Sequence, residues 1–401
     1  MKPSSPVVRR SSSMTSQLGL TDRIFSTAAD RGLASDIETG LDSVEAGLLA
    51  EVRFADQIAD ATGRYLLNAG GKRVRPMLAL LTAHLGDGAV SDVVTAATAI
   101  EITHLASLYH DDVMDDSDRR RGVPSAQTVW GNSVAILTGD LLFARASQLM
   151  ARLGERAIRL QASTFERLVL GQLHETIGPQ DGEDPVQHYI QVLADKTGSL
   201  IAAAAQAGIV FSGAPAEYET PLVEFGEKIG VAFQLIDDVI DLSPQPEETG
   251  KVPGTDLRAG VATLPLLRLR ERAKTDASDA QLLAHLEGEV LGSAFGLNGM
   301  QATGPLPVTS AHGPTGPTTS VADQAGLGQA AAGQPAREPA PSEETINAAV
   351  VALREHKVTA QTLAEAHSWA RAAVAALAPL PAGSVKKALT KFADTIVERS
   401  S

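Results

Sequence analysis

Two short runs carry most of the chemical information in this chain. Asp111-Asp112-Val113-Met114-Asp115 and Asp237-Asp238-Val239-Ile240-Asp241 share the form Asp-Asp-x-x-Asp. On a helix, residues i and i+4 share a face and i+1 lies beside it, so each run projects three carboxylates from one patch. Both runs end an apolar stretch: the first leads into Ser117 and Arg119–Arg121, the second stops at Pro244. Carboxylates there oppose the helix dipole, at about 0.3–1 kcal/mol each before mutual repulsion is counted. The six together require a compensating cation. Hard oxygen donors with no His or Cys in the run select Mg²⁺ over zinc. One run alone reads equally well as a solvated acidic helix end; two copies on similar apolar helices do not. An EF-hand is excluded, because its Asp-x-Asp-x-Asp-Gly loop is absent.

Upstream of Asp115, in steps of four and three, stand Asp111, Ser107 or Leu108, His104, Ile100 and Ala97. This face grades from apolar through Ser and His to acidic, the pattern of a deep pocket with a charged mouth. His104 taken alone reads as an ordinary core histidine. Cations flank the acids. Gly70-Gly-Lys-Arg-Val-Arg-Pro76 sets Lys72, Arg73 and Arg75 on a glycine turn that opens a helix at Pro76, an anion-binding arrangement. Arg119–Arg121 follow the first acidic run, and Lys196 and Lys251 stand in Asp-Lys-Thr-Gly-Ser199 and Thr-Gly-Lys-Val-Pro-Gly-Thr-Asp256. A Walker nucleotide loop is not supported, since its spacing is missing. Each basic run alone is a plausible solvated loop. Interleaved with two magnesium-type clusters, they point to two phosphate-bearing substrates side by side.

The elements that position these residues are helical. Apolar residues recur every three to four positions, which predicts helices over 41–68, 76–86, 91–116, 131–152, 155–177, 186–212, 217–242 and 262–288. Gly and Pro punctuate the joints, and strand alternation is hard to find. The chain reads as an all-α bundle. Residues 301–340 hold six Gly and six Pro with no aromatic residue, too few groups to bury for order, so 290–342 is expected to be a low-complexity flexible insert. Helical patterning resumes at 343–356, 358–378 and 384–399, helices too few for a core of their own and expected to pack on the bundle of 19–289. Residues 1–18 read as a disordered tail without the apolar segment of a secretory signal.

The chain has 401 residues, 34 Lys+Arg against 48 Asp+Glu, a net charge of −14 and no Cys. That balance argues against a general nucleic-acid binder, and 4% aromatic residues argue against base stacking. Without cysteine there is no disulfide scaffold, thiolate zinc site or cysteine nucleophile, which suits a reducing cytosol. Nowhere do 18 uninterrupted apolar residues occur, so no transmembrane span is expected.

Taken in order, these motifs resemble the trans-isoprenyl diphosphate synthases, or polyprenyl synthetases, and in detail the actinobacterial long-chain type. The resemblance rests on Gly-Gly-Lys-Arg-x-Arg-Pro, His104 before Asp-Asp-x-x-Asp, Arg120-Arg-Gly, Gly171-Gln172, Lys196-Thr197, Phe233-Gln-x-x-Asp-Asp-x-x-Asp241 and Gly250-Lys…Gly-Thr-Asp-Leu257. It spans about 19–288 and the last helices; the 290–342 insert departs from the family's short connection. It implies a single large antiparallel bundle of the isoprenoid synthase type around a deep central cavity. It also implies head-to-tail condensation of isopentenyl diphosphate onto an allylic diphosphate, with no protein nucleophile. By the same resemblance, Asp111, Asp115 and Asp237, supported by Asp112, Asp238 and Asp241, hold Mg²⁺, three ions per site. Arg120, Lys196 and Lys251 grip the departing diphosphate. Lys72, Arg75, His104 and Arg121 hold isopentenyl diphosphate, and Thr197 and Gln234 flank the carbocation. A cytoplasmic homodimer, peripheral to the membrane at most, is the family expectation.

Ala106 and Ser107 lie one turn below Asp111, where the family uses bulky aromatics to stop growth early. Both are small, so the product is expected to exceed geranylgeranyl diphosphate, as a menaquinone side-chain precursor does; a larger residue from 131–150 could set a nearer floor. A geranylgeranyl or farnesyl diphosphate synthase is the alternative. A terpene cyclase is disfavoured by the second aspartate run and by Lys72–Arg75. A non-catalytic subunit of a heteromeric synthase is disfavoured by the presence of all six aspartates.

Overall fold

The computed structural model describes residues 30–243, 253–291 and 342–398. The predicted tail at 1–18 lies outside these, as does the 290–342 insert except at its two ends; Lys251 also lies outside.

The first half is helical almost throughout: α1 (Asp30–Glu51), α2 (Gln57–Gly63), α3 (Tyr65–Asn68), α4 (Val74–Ala83), α5 (Ser91–Met114), α6 (Ala126–Trp130), α7 (Asn132–Arg152) and α8 (Glu155–Ile177). Then come α9 (Pro185–Leu193), a π-helical turn (Ala194–Gly198), α10 (Ser199–Phe211) and α11 (Glu219–Asp241). After the second acidic run follow α12 (Thr255–Arg258), α13 (Leu264–Ala273), α14 (Ala277–His285), α15 (Glu343–Glu355), α16 (Lys357–Ala376) and α17 (Ser384–Val397). Two two-residue strands, β1 (Arg119–Arg120) and β2 (Val123–Pro124), pair antiparallel, a hairpin the helical reading did not anticipate.

Two predicted helices are broken, each by a capping aspartate. The 41–68 stretch divides because the Asp56 side chain accepts from the N–H groups of Ile58 and Ala59 and starts α2 afresh. Asp276 does the same for Ser278 and Asp279, splitting 262–288 into α13 and α14. Such caps contribute about 1 kcal/mol and here outweigh continuity of apolar spacing. At α9 the cap agrees with the pattern: Asp184 accepts from Val186 and Gln187, and Pro185 occupies the first turn.

The centre is α5, buried on nearly every side from Val93 to Tyr109, as a helix apolar all round must be. It packs along α7 and also against α1, α4 and α10. The Ala-rich α10 (Leu200–Ala205, Ala207, Ile209) is likewise buried and lies between α4, α5 and α11. The C-terminal helices join this core: α16 runs along α11, burying Ala366, Ala370 and Ala373, and Phe392 of α17 meets Phe225 of α11. A second apolar cluster joins Leu242, Leu257, Leu266 and Leu269 to Ile346, Val350 and Leu353 of α15. Among the described residues, α7 is the one helix long and apolar enough to cross a bilayer by composition; its Ala135, Leu142, Ala146 and Leu149 are spent on the core. Burial of each such Leu is worth about 1.5–3 kcal/mol. These packed helices bring the C-terminal ends of α5 and α11, and hence both acidic runs, to fixed places.

Candidate active site

The six aspartates divide into two kinds. Asp111 and Asp115 stand at the end of α5, and Asp237 at the same stage of α11, all at least partly open to solvent. Asp112 is fully buried and accepts from Arg120 Nε at 2.6 Å. Asp238 is buried too, taking the Tyr189 hydroxyl at 2.8 Å and the Leu264 N–H at 3.5 Å. Asp241 caps α12, accepting from the N–H groups of Thr255 and Asp256, each at 3.1 Å. The expectation of three carboxylates projecting from one patch is therefore corrected. On each helix the residue beside the i, i+4 face packs inward, and Asp241 turns back to fix the chain that follows it. Among the described residues, no three His, Asp or Glu side chains stand close enough to enclose a metal ion.

The charges of this end of the molecule still fit a hard divalent cation. Burial pushes Asp111 up to about 6, with Lys196 opposing the rise and Asp115 adding to it. Burial likewise raises Asp112 and Asp115, and Asp238 lies well above the usual carboxylate range. Asp112 Oδ2 is buried with no hydrogen-bond partner. Carboxylates held in this strained state are relieved by a cation, and oxygen-only donors match Mg²⁺ or Ca²⁺ chemistry.

The basic motifs converge on the same end. In the β1–β2 hairpin, both central residues take positive φ, Arg121 at 52° and Gly122 at 80°, as a two-residue connection of this kind requires. That turn swings Arg120 toward Asp112 and Arg121 toward the glycine turn, where its guanidinium donates to Leu66 O at 2.9 Å and to Gly70 O. Arg73, also at positive φ (49°), ion-pairs with Glu45 (2.8 Å) and Glu101 (3.2 Å). Gly71 lies beneath both side chains: a Cβ there would sit 2.4 Å from an Arg73 nitrogen and 3.0 Å from one of Arg121. A side chain at that position would have to displace the ends of both arginines. Arg73 is structural, whereas Lys72 is exposed and Arg75 half-buried with its Nε unpartnered.

The pocket-like stripe of α5 runs into this basic group. His104 is held well below its ordinary pKa by burial and by Arg75, Arg121, Arg120 and Arg73, so it is neutral at pH 7. It is therefore a largely buried histidine, as the residue alone suggested, that also lies within the field of the four arginines. Ala106 and Ser107 are buried below Asp111, and the Ser107 hydroxyl donates to His104 O at 2.9 Å. Deeper still, Ile100 and Thr103 of α5 line a space of about 10 Å³ with Met150, Leu160, Thr164, Leu200 and Ala203. A larger open hollow of about 770 Å³, between α8 and α10 at Arg156, Leu160, Glu166 and Gln206, shares only Leu160 with it and touches neither aspartate run.

Lys196 occupies the π-helical turn with Thr197 beside it, both half-buried. Burial lowers the Lys196 pKa, but Glu175, Asp111 and Asp115 outweigh it and raise the net value. Its direct partner is Glu175 of α8. Glu175 bears on both runs: its charge raises Asp111 and Asp115 and also Tyr189, the residue that binds Asp238. Gln234 lies half-buried one turn before Asp238 on α11. The spacing analysis missed Glu175 and Tyr189; the nearest signals were Gly171-Gln172, three residues before Glu175, and Lys196-Thr197, seven after Tyr189.

Cations and carboxylates thus meet at the end of α5, and comparison with known proteins shows what the chain is similar to. The sequence model of the polyprenyl synthetase family matches residues 56–290. The chain is 44% identical over 284 residues to the nonaprenyl diphosphate synthase of Mycobacterium tuberculosis, covering 71% of this chain and 82% of that one. It is 37% identical to the octaprenyl diphosphate synthase of Escherichia coli over 225 residues, 56% of this chain and 70% of the other. The crystal structure of a geranylgeranyl pyrophosphate synthase from Corynebacterium glutamicum, complexed with calcium and isoprenyl diphosphate, superposes with a TM-score of 0.71 at 35% identity, covering 94% of this chain and 99% of that one.

Proposed function

The chain belongs to the polyprenyl synthetase family, and from that premise we propose that it is an all-trans polyprenyl diphosphate synthase. It adds isopentenyl diphosphate head-to-tail to an allylic diphosphate and makes products longer than geranylgeranyl diphosphate. The observation that carries this reading is the meeting of the Gly70–Arg75 turn, the Arg119–Arg121 hairpin and the first acidic run through Arg121–Gly70 and Arg120–Asp112. Two anion sites then adjoin one cation site.

Asp111, Asp115 and Asp237 are the residues that hold Mg²⁺, with Asp112, Asp238 and Asp241 in support and three ions as the count. When bound, the metal neutralises charge on the departing diphosphate. Lys196 and Arg120 bind the same group, with Lys251 as the third cation. Lys72, Arg75, Arg121 and His104 orient isopentenyl diphosphate; His104, being neutral, offers one N–H without adding charge. Thr197 and Gln234 present hydroxyl and carbonyl dipoles to the allylic cation. Breaking the allylic C1–O bond and forming the bond from C1 to the isopentenyl C4 leaves one proton to be lost, and the released diphosphate accepts it. The Ala-rich α10 and the small Ala106 and Ser107 are buried, and in this reading they form a dry wall along which the tail grows.

Chain length follows from these small residues and from the long-chain products of the relatives, which together disfavour a geranylgeranyl or farnesyl synthase. Such tails serve as menaquinone side-chain precursors. A second copy of the chain is the partner assigned to Leu137 of α7 and to Val169, Leu173 and Ile177, spaced at four along α8, all exposed. Water-soluble diphosphate substrates suit a cytoplasmic enzyme whose product is bound for the membrane. The test is Mg²⁺-dependent incorporation of labelled isopentenyl diphosphate into farnesyl diphosphate, with chromatography of the dephosphorylated products. Chains beyond C20 are expected; no incorporation, or products ending at C20, overturns the reading.

A further inference from the structure

Lys196 and Thr197 sit in the one π-helical turn of an otherwise α-helical run from Pro185 to Phe211. A π turn inserts an extra residue, rotates the side chains around it and sacrifices hydrogen-bond geometry, so something must hold it. Three glycines crowd its backbone. A Cβ on Gly171 would lie 2.6 Å from Lys196 N, one on Gly198 3.0 Å from Glu227 O, and one on Gly230 2.5 Å from Gly198 Cα. Helices α8 and α11 therefore press directly on the turn.

Arg167, one turn before Gly171 on α8, spans this junction. Its Nε donates to Asp195 Oδ1 at 2.8 Å, and its terminal nitrogen donates to Glu227 of α11. Gln191 holds the other Asp195 oxygen at 2.7 Å. Asp195 immediately precedes Lys196. Arg167, Gly171 and Glu175 stand at i, i+4 and i+8 on α8, one face that clamps the turn, gives it room and meets the lysine it displays.

We propose that Arg167 is a positioning residue for the diphosphate site: by clamping Asp195 and Glu227 it fixes the rotation of the π turn that aims Lys196 toward Asp111 and Asp115. This rests on the function proposed above. Partly exposed ion pairs contribute little to stability, so loss of Arg167 disturbs the aim of Lys196 more than the fold.

The test uses full-length enzyme with inorganic pyrophosphate as probe, titrated calorimetrically in the presence of Mg²⁺, alongside steady-state kinetics. Arg167→Met is expected to weaken pyrophosphate binding and raise KM for the allylic substrate by about tenfold, with KM for isopentenyl diphosphate unchanged. Arg167→Lys restores part of the loss. Should Arg167→Met not fold, Asp195→Asn removes the same link and is expected to give the same allylic-specific defect. Wild-type binding of pyrophosphate that every folded variant matches within twofold overturns the proposal, as does an equal rise in both KM values. Wild-type enzyme that fails to bind pyrophosphate overturns the site reading itself, and the proposal with it.

Discussion

Arg120 Nε stands 2.6 Å from Asp112 Oδ1, joining the hairpin to the middle aspartate of the first run. Asp112 is fully buried and Arg120 is 30% exposed, so the pair is asymmetric: the carboxylate depends on the guanidinium more than the reverse. Removing one partner of a buried pair costs about 3–5 kcal/mol, mostly the penalty of the charge left behind. Partial exposure of Arg120 sets the expectation at the lower end. Arg120→Met should destabilise the protein by about 3 kcal/mol in denaturant unfolding, and adding Asp112→Asn should recover much of that. Additive losses in the double variant would show that the contact carries no coupling.

The pH dependence of cation binding follows from Asp111, whose folded pKa is about 6 against an ordinary 3.8. Between those values the folded chain holds a proton that the unfolded chain does not, so Asp111 lowers metal-free stability as pH rises through that window. His104 acts oppositely, its depressed pKa removing stability as pH falls below 6.5. Total stability therefore blends the two, but the increment given by Mg²⁺ isolates the carboxylates. The rise in Tm on adding Mg²⁺ should be larger at pH 7.5 than at pH 5, and a larger rise at pH 5 contradicts the assignment.

Product length tests the small residues under Asp111. Ala106 is fully buried and Ser107 nearly so, and in the proposed reading an aromatic ring at either position would project into the path of the tail. Ala106→Phe and Ser107→Phe should each shorten the main product by one or more five-carbon units. Unchanged product distributions from both purified variants would refute the steric account. The narrow space at Ile100, Thr103, Met150 and Leu160 marks the next constriction; Met150→Ala should lengthen the product or leave it unchanged, never shorten it.

Tyr189 offers a test of the second run. Its hydroxyl satisfies the buried Asp238 at 2.8 Å. Tyr189→Phe leaves that carboxylate short of a donor, at about 1–3 kcal/mol, measurable as a lower denaturation midpoint. Equal stability of the two proteins would mean that Leu264 N–H and solvent suffice.

Much of this was legible from spacing, because α8 and α11 each bury one apolar face and α5 is apolar on nearly every side. The acidic runs could be placed on helix ends for the same reason. What spacing could not supply was orientation. Asp112 and Asp238 turn inward because Arg120, eight residues on, and Tyr189, in another helix, are there to receive them. Glu175 and Arg167 look like ordinary surface charges of an amphipathic helix until α9, the π turn and α11 are folded against them. The two breaks at Asp56 and Asp276 were visible in principle as capping signals, but the apolar pattern ran through both.

The most direct test of the central claim is a crystal structure of the full chain grown with Mn²⁺ in place of Mg²⁺ and with pyrophosphate. Anomalous peaks beside Asp111–Asp115 and beside Asp237, bridged by one pyrophosphate that Lys196 also contacts, are the predicted result. Peaks at two separate surfaces with no shared anion between them would contradict it.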